Sequence, residues 1–522
     1  MIELKINFSN SSMNSEEKEI SKIYRIHKYW SRKPWKPISE SIKKYSKEED
    51  LVVDLFLGSG VTCLESVYLN RNFVGYDLNP MAIFISNNTI QNHFKENIFI
   101  EELEEIKNKL GSFFKELYSA DEECNICHKK LTIDHINMGP KFKNKEEGVF
   151  YCLDCGKNTK KRRELNKKEK ISLRKEHKIS KWTPSKKIPS KFYKDRFSYK
   201  GVKNITDFYT SRNLLALSEL LYIIKTSKFK YEDLFLIAFS NTLLHASKLK
   251  SENVRPLSVN NYWIPDDYME ENVFLRFLER TDLVLESKKN LQKRFNEIKN
   301  IGDYELMNKS SFKTRFKDGE VDYIITDPPY GDAIQYSELS LIWNSWFNKE
   351  FEIKEEVIIN PVQNKGVTEY LGLLENSIKE ASRILKDKGK FTLCFHNKDF
   401  SIWEGILSIF KKYTFVLENI DIIDTLGNSY NNNWSKFSPK SDIYLTFTKK
   451  DFNTDSYYKK ILLENLIKKE IKKSQDISKI YDSLTSTLIW EIYYNEHKLD
   501  LSKLTIKKLN ELILKIKDGN RQ

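Results

Sequence analysis

One local pattern constrains the fold of this 522-residue chain more than any other. A short apolar run, Leu51 to Phe56, leads directly into Gly58-Ser59-Gly60, and the residues that follow have helical spacing. A second short strand, Asn72 to Tyr76, ends at Asp77, and Pro80 lies where the first turn of a helix tolerates proline. Strand, helix, strand and helix in this order predict a parallel sheet with α/β architecture.

The strand and helix pattern is interrupted near residue 100 and resumes near residue 303. A chain of this length exceeds what one hydrophobic core normally supports, so we expect an insertion and an appendage around one core. The predicted parts are a cofactor-binding half of the core at 1–100, an inserted module at 101–302, a catalytic half of the core at 303–450 and a helical tail at 451–522.

The glycine turn indicates a site for a nucleoside. Gly58 and Gly60 directly after a buried strand allow close approach of a ligand to the backbone, and Asp77 at the next strand's end can accept hydrogen bonds from ribose hydroxyls. Cys63 occupies the third glycine position of a dinucleotide motif, so the GxGxxG pattern is incomplete. A tight packing turn or a dinucleotide site remains an alternative.

The tetrapeptide Asp327-Pro328-Pro329-Tyr330 follows the apolar segment 321–326. An amino group conjugated to a base is a poor nucleophile until acceptors hold its hydrogens and turn its lone pair out of the ring plane. Asp327 can accept one hydrogen and the Pro328 carbonyl the other, while Tyr330 offers a flat face for a base lifted out of its helix. A proline turn after a core strand, and a role of Asp327 as general base, are the alternatives.

DLFLGSG followed by DPPY on a parallel sheet resembles the amino-methyltransferases of DNA restriction-modification and phage-defence systems. The resemblance implies a Rossmann-like core that binds S-adenosylmethionine as methyl donor. It assigns cofactor binding to the first strand's end and the ribose contact to the acidic residue after the second strand. These positions are Asp54, Phe56, Gly58, Ser59, Gly60 and Asp77. The family's catalytic motif matches Asp327, Pro328, Pro329 and Tyr330 residue by residue.

Two further segments compare with this family in different ways. Residues 26–38, IHKYWSRKPWKPI, look like its N-terminal cofactor-contacting element, although a surface loop on the core is an alternative. The third strand ends in Asn308-Lys309-Ser310-Ser311 and departs from the family pattern, in which an acidic residue often lies near the cofactor adenine. The adenine contact is therefore left unassigned.

The resemblance implies site-specific methylation of a flipped-out base in double-stranded DNA. Adenine-N6 is preferred to cytosine-N4, because Asp at the first position of the tetrapeptide looks like the more common adenine form. Cognate restriction or defence-system subunits are implied as partners. A methyltransferase acting on a guanine amine in RNA and a catalytically inactive DNA-binding subunit are the alternative interpretations.

Four cysteines predict a metal site inside the insertion. Cys124-x-x-Cys127 and Cys152-x-x-Cys155 have the paired spacing of a zinc ribbon, and four thiolates close a tetrahedral zinc site. Because all four positions are filled by protein, we expect structural and not catalytic zinc. Three helical segments are predicted after the cysteines, at 207–228, 231–249 and 270–299.

Charge is concentrated next to these cysteines. Residues 157–200 contain eighteen Lys or Arg against four Asp or Glu, which accounts for the net charge of +13. Such a stretch is a candidate for DNA phosphate contacts, with a solvated linker as the alternative.

No apolar run reaches membrane-spanning length and the first residues lack a secretory pattern, so a cytoplasmic protein without a membrane partner is expected.

Overall fold

A computed structural model describes residues 14–142, 145–194, 201–257, 262–397, 399–424, 441–450, 477–494 and 511. The helices are α1 Ser15–Ile23, α2 Trp35–Tyr45, α3 Val61–Tyr68, α4 Pro80–Ile90, α5 Glu96–Leu117, α6 Lys167–Leu173, α7 Ser211–Thr226, α8 Glu232–His245, α9 Val273–Phe295, α10 Tyr336–Leu339, α11 Leu341–Trp346, α12 Val367–Ile384, α13 Phe400–Lys412 and α14 Ile477–Tyr494. The strands are β1 Leu51–Asp54, β2 Asn72–Tyr76, β3 Ser119–Glu123, β4 Lys130–Met138, β5 Glu147–Cys152, β6 Gly156–Glu164, β7 Tyr268–Glu271, β8 Tyr304–Met307, β9 Val321–Thr326, β10 Leu385–Phe395, β11 Phe415–Asp424 and β12 Ser441–Lys449.

Within the described ranges, a seven-stranded sheet has the order β11-β12-β10-β9-β1-β2-β8. Its pairs from β10 to β8 are parallel, and β12 is antiparallel to both of its neighbours. The mostly parallel α/β core predicted from the sequence is thus confirmed. The chain runs from β1 outward to β2 and β8, then returns to β9 on the other side of β1. This topology places a ligand crevice at the carboxyl ends of β1 and β9.

Both faces of the central strands are covered, which explains their nearly continuous apolar sequences. Val53 and Ile324 are fully buried in one apolar cluster of the sheet. Val52 and Ile325, their neighbours along the two strands, are fully buried in a second cluster. Alternate residues therefore point into two different cores, and the ends of β1 and β9 are held firmly in register.

The insertion contributes a second, antiparallel sheet in the order β3-β4-β5-β6, with β7 paired to β4. The helix predicted to start at residue 270 begins at Val273 instead, because Glu270 and Glu271 lie in β7 and Asn272 caps α9. One apolar cluster joins insertion residues such as Phe235 with Trp30 and Met81. The insertion therefore packs directly on the cofactor-side half of the core.

The predicted helical tail lies mostly outside the described residues. Its described helix, α14, packs against α13 and β11, with Leu488 fully buried in the sheet's apolar cluster. The Tyr493 hydroxyl donates a hydrogen bond to the Phe415 carbonyl. Among the helices that the structure describes, none has the length and apolar character needed to cross a membrane.

Candidate active site

The turn after β1 requires glycine at two positions. Gly58 and Gly60 have left-handed backbone angles, with φ of +54° and +76°. A Cβ atom on Gly60 would lie 2.6 Å from the Ser86 hydroxyl oxygen, so the turn has no space for a side chain there. Gly60 is also the N-cap of α3, which places the first turn of that helix beside the crevice. The glycine pattern seen in the sequence is thus explained by close packing as well as by backbone conformation.

Asp77 is held against this turn by backbone amides. The Gly58 N–H donates to Asp77 Oδ2 over 2.8 Å, and the Asn79 N–H donates to Asp77 Oδ1 over 2.8 Å. Burial raises the pKa of the Asp77 carboxyl to about 7, although both amides favour its charged form. The structure therefore brings together two predicted elements of a nucleoside site, the glycine turn and the acidic residue.

Asp54 connects the ends of the two central strands. Its Oδ1 accepts hydrogen bonds from the Thr326 hydroxyl over 2.6 Å and from the Phe56 N–H over 3.0 Å. The side chain is buried, and this burial raises the pKa of the carboxyl to about 6. Thr326, which sequence reasoning missed, directly precedes Asp327. Asp54 thus connects the start of the tetrapeptide loop with the glycine turn.

The tetrapeptide forms the second wall of the crevice. The Tyr330 hydroxyl donates to Asp327 Oδ1, and the Tyr370 hydroxyl donates to the Pro329 carbonyl over 2.8 Å. In the described part of the chain, no donor is bonded to the Pro328 carbonyl. Burial raises the pKa of Asp327 to about 7, and the nearby Lys33 ammonium works in the opposite direction. The loop therefore contains one carboxylate that lines the crevice and, in the buried Pro328, one carbonyl without a bonded donor among the described residues.

The segment 26–38 closes one side of the crevice. Arg32 Nε donates to the Ser59 hydroxyl oxygen over 3.2 Å, in the glycine turn. Lys33 Nζ lies 2.9 Å from Asp442 Oδ1 and 3.7 Å from Asp327 Oδ1. Sequence reasoning singled out this segment by resemblance but did not predict these contacts. Asp442 carries no local motif and comes near only because β12 lies beside β10.

The crevice contains about 920 Å³ of empty space and is open to solvent. Asp54, Asp77 and Asp327 all line it, as do the glycine turn and the segment Lys309-Ser310-Ser311-Phe312. The Asn308 amide donates to the carbonyls of Asp77 and Leu78, over 2.9 and 3.1 Å. The segment that departs from the family pattern thus also borders the crevice, with hydroxyl and amide groups in place of a carboxylate.

The four cysteines of the insertion meet at the tips of two hairpins. Cys124 and Cys127 lie between β3 and β4, Cys152 is the last residue of β5, and Cys155 directly precedes β6. All four sulfur atoms lie within 4.8 Å of one another. Hydrogen bonds from the backbone amides of Cys127 and Ile126 lower the pKa of the Cys124 thiol to about 7. This donor set has the number and type of ligands that a tetrahedral metal ion requires.

The basic stretch is divided between two structural roles. In β6, Arg162 pairs with Glu147, and Arg163 pairs with both Glu122 and Glu169, so these charges are compensated within the insertion. Farther along, the Tyr193 N–H donates to the Glu338 carboxylate, close to the tetrapeptide in sequence. Residues 195–200 of the stretch lie outside the described ranges.

After α6, four lysines of the basic stretch are exposed and form no ion pair with any described residue. They are Lys175, Lys178, Lys187 and Lys191. The segment that carries them ends at the catalytic half of the core, where the Tyr193 hydroxyl also donates to Asp332 over 3.2 Å. The segment with these exposed lysines thus ends at the loop that follows the tetrapeptide.

A family model described as DNA methylase matches residues 4–88 and 321–516, together more than half of the chain. Among curated proteins, the type II methyltransferase M.MvaI of Kocuria varians is 27% identical over 180 residues, which are 32% of this chain and 37% of that protein. The type II methyltransferase M.MjaII of Methanocaldococcus jannaschii is 22% identical over 417 residues, or 74% of each chain.

Likeness to solved structures is slight. A geranyl diphosphate methyltransferase in complex with SAM aligns with a TM-score of 0.17 and 7% identity, over 31% of this chain and 61% of that one. The same enzyme type with GPP and sinefungin aligns with a TM-score of 0.17 and 9% identity, over 30% and 58% of the two chains. Scores this low support no conclusion about fold or ligand.

Proposed function

This chain belongs to the N6/N4 DNA methylase family, and we propose that it transfers a methyl group from S-adenosylmethionine to the exocyclic amine of a base in double-stranded DNA. The main support is that Asp327 and the glycine turn line one crevice, at the carboxyl ends of the neighbouring strands β9 and β1. A methyl donor on β1 and an amine acceptor on β9 would thus lie side by side.

The cofactor side of the crevice fits S-adenosylmethionine. Asp77 has a fixed orientation, because two backbone amides hold it, and its remaining lone pairs are available to ribose hydroxyls. The space at Gly58 and the first turn of α3 allow a ligand to approach the backbone closely. When bound, S-adenosylmethionine supplies an electrophilic methyl group on a positively charged sulfur.

The acceptor side fits a base amine that has left its helix. We propose that Asp327 accepts one amine hydrogen and the Pro328 carbonyl the other, which localises the nitrogen lone pair towards the methyl group. The Pro329 carbonyl already accepts a hydrogen bond from the Tyr370 hydroxyl, so it is the less available of the two carbonyls. As the new N–C bond forms, the sulfur keeps the electron pair of the broken S–C bond, and the nitrogen then releases a proton to Asp327 or to water.

In the structure described here the Tyr330 hydroxyl donates to Asp327 Oδ1, the same carboxylate that the base amine is proposed to reach. We propose that an incoming base amine replaces that hydroxyl and that the Tyr330 ring then contacts the base. Base flipping is required because a paired amine is inaccessible inside a duplex. The ring packs edge-on against Phe395, with centroids 5.0 Å apart, and this contact limits its movement.

Adenine-N6 is the proposed target, with cytosine-N4 as the alternative on the same mechanism. The first residue of the tetrapeptide, Asp327, favours adenine by resemblance alone. Both curated relatives are named type II methyltransferases, which supports action at defined sequences in duplex DNA. We propose in addition that the four clustered cysteines hold structural zinc and that the exposed lysines near Tyr193 contact phosphates.

The test is modified-base sequencing of plasmid DNA from a methylation-free host that expresses the wild type or Asp327→Ala. We expect a sequence-specific mark on adenine that the variant does not produce. Asp318→Ala, which removes an exposed carboxylate paired with Arg383, should leave the mark unchanged. A mark on cytosine would keep the mechanism and change the base. No mark from a folded wild type that binds S-adenosylmethionine would contradict the proposal and direct attention to RNA substrates.

A further inference from the structure

Lys33 is held between two carboxylates inside the crevice. Its Nζ lies 2.9 Å from Asp442 Oδ1 and 3.7 Å from Asp327 Oδ1, and only 8% of its side chain is exposed. The same atom lies 4.7 Å from the centre of the Tyr330 ring. Lys33 directly precedes Pro34, the N-cap of α2, so its backbone is anchored by a helix. One ammonium group thus contacts both functional side chains of the tetrapeptide.

The surroundings of Asp327 are otherwise unfavourable for a negative charge. The titratable groups that face it are Asp54 after β1, Tyr330 in its own loop, Tyr336 on α10, Cys394 on β10, and Asp442 and Tyr444 on β12. Among these described neighbours, Lys33 alone is a cation. A protonated Asp327 would be a weaker acceptor than the carboxylate and would bring an O–H donor of its own to the site, so it would hold an amine hydrogen poorly. The proposed reaction therefore depends on this lysine.

We propose that Lys33 is a positioning residue that keeps Asp327 ionised and oriented towards the base amine. Asp442 opposes this effect, because it pairs with the same ammonium group and so weakens the attraction between Lys33 and Asp327. The inference rests on the proposed function. The arrangement assigns opposite effects to two neighbours of one carboxylate. Removing the lysine charge should favour the protonated form of Asp327, whereas removing the Asp442 charge should leave the whole lysine charge to Asp327 and favour the ionised form.

This inference gives a prediction about pH dependence. Burial raises the pKa of Asp327 to about 7 even with Lys33 present, so activity should fall as the pH is lowered through this region. In Lys33→Met the acid limb should move upward by about one pH unit, which is roughly a fivefold loss at pH 7 that approaches tenfold at lower pH and disappears at higher pH. Lys33→Arg should restore the wild-type limb. Asp442→Asn should move the limb downward.

The measurement is kcat/KM for a methylatable DNA duplex as a function of pH, at saturating S-adenosylmethionine. Thermal unfolding of each variant checks that it is folded, and Lys33→Arg and Asp442→Asn keep the test valid if Lys33→Met is unstable. A merely structural lysine would lower kcat/KM by the same factor at every pH. An active wild type with limbs that do not move, or that move in the same direction in Lys33→Met and Asp442→Asn, would overturn the inference alone. A wild type that methylates no DNA at any pH would overturn the proposed function, and the role of Lys33 with it.

Discussion

Asp77 and Asp327, which both line the crevice, are held by different kinds of groups. Backbone amides of Gly58 and Asn79 hold Asp77, and they can move only if the turn itself changes shape. A tyrosine hydroxyl and a lysine ammonium hold Asp327, and side chains can turn away without disturbing the fold. A fixed acceptor suits a cofactor that binds in one orientation. An exchangeable set of partners suits a carboxylate that must receive a new hydrogen-bond donor in every reaction.

Replacing Asp77 by Asn should weaken S-adenosylmethionine binding. The change removes a charged acceptor, and hydrogen bonds to charged groups contribute about 1.5–3 kcal/mol, so we expect Kd to rise by roughly ten- to a hundredfold. Because burial raises the pKa of Asp77 to about 7, wild-type affinity should fall as the pH drops below that value, and the variant should lose this dependence. Calorimetric titration with S-adenosylmethionine measures both effects. Asp303→Asn, at the opposite end of the sheet, is the control, and wild-type affinity in the Asp77 variant would refute the assignment.

At this scale the sequence predicts some site residues and not others, for a physical reason. Asp77 and Asp327 each follow a strand directly, and Gly58 and Gly60 lie in the turn after β1, so a local pattern is enough to place them at the edge of a parallel sheet. Asp442 has no such pattern. It approaches Lys33 only through the pairing of β12 with β10, far along the chain. Contacts created by strand order cannot be inferred from spacing alone.

The two hairpins of the insertion bring four cysteines together at one end of the small sheet. Cys124 and Cys152 belong to the apolar cluster that also contains Phe114 and Phe150. Four sulfur atoms at one end of a small antiparallel sheet pack no better than apolar side chains would. A metal ion that joins both hairpins would instead fix the sheet on which the basic strand β6 lies.

We therefore expect one zinc ion per chain and a loss of stability without it. In Cys124→Ser, zinc content measured by plasma mass spectrometry should fall, and the melting temperature should drop by several degrees. Binding of S-adenosylmethionine should persist, since its site lies on the large sheet. Cys63→Ala removes a buried thiol outside the cluster and should leave the zinc content unchanged. A wild type that holds no zinc after growth in zinc-replete medium would contradict this prediction.

The sequence predicts helices and strands correctly where the residues that define them are close together along the chain. The strand at 321–326 and the helix of residues 80–90 follow directly from apolar spacing and a proline at the first helical turn. The start of α9 was placed wrongly, because Glu270 and Glu271 pair with β4. Likewise, nothing in the repeated lysines and arginines of residues 157–164 indicates a strand, and their carboxylate partners from β3, β5 and α6 become apparent only in three dimensions.

At the scale of the whole molecule, the insertion connects the cysteine hairpins to the catalytic loop. The segment after α6 leaves the small sheet and reaches Asp332 and Glu338, so exposed lysines accompany the chain from one site to the other. On the proposed function, we expect a duplex that presents a base to the crevice to lie across this face. The compensated arginines of β6 are poorly suited to phosphates, and we propose the four exposed lysines after α6 as phosphate contacts.

Changing these four lysines together, Lys175, Lys178, Lys187 and Lys191, to Gln should weaken DNA binding without removing the chemistry. Each lysine that contacts a phosphate contributes about 0.9 to the slope of log affinity against log salt, so the slope should become shallower by up to about four times that value. A matched variant replaces four exposed lysines elsewhere, Lys115, Lys317, Lys379 and Lys388, and so has the same net charge. Fluorescence anisotropy with a labelled duplex at several salt concentrations gives both slopes. If the two variants lose the same affinity, the effect is one of overall charge and the proposed surface is wrong; a loss confined to the first set would place the duplex along this segment, with its target base above Asp327.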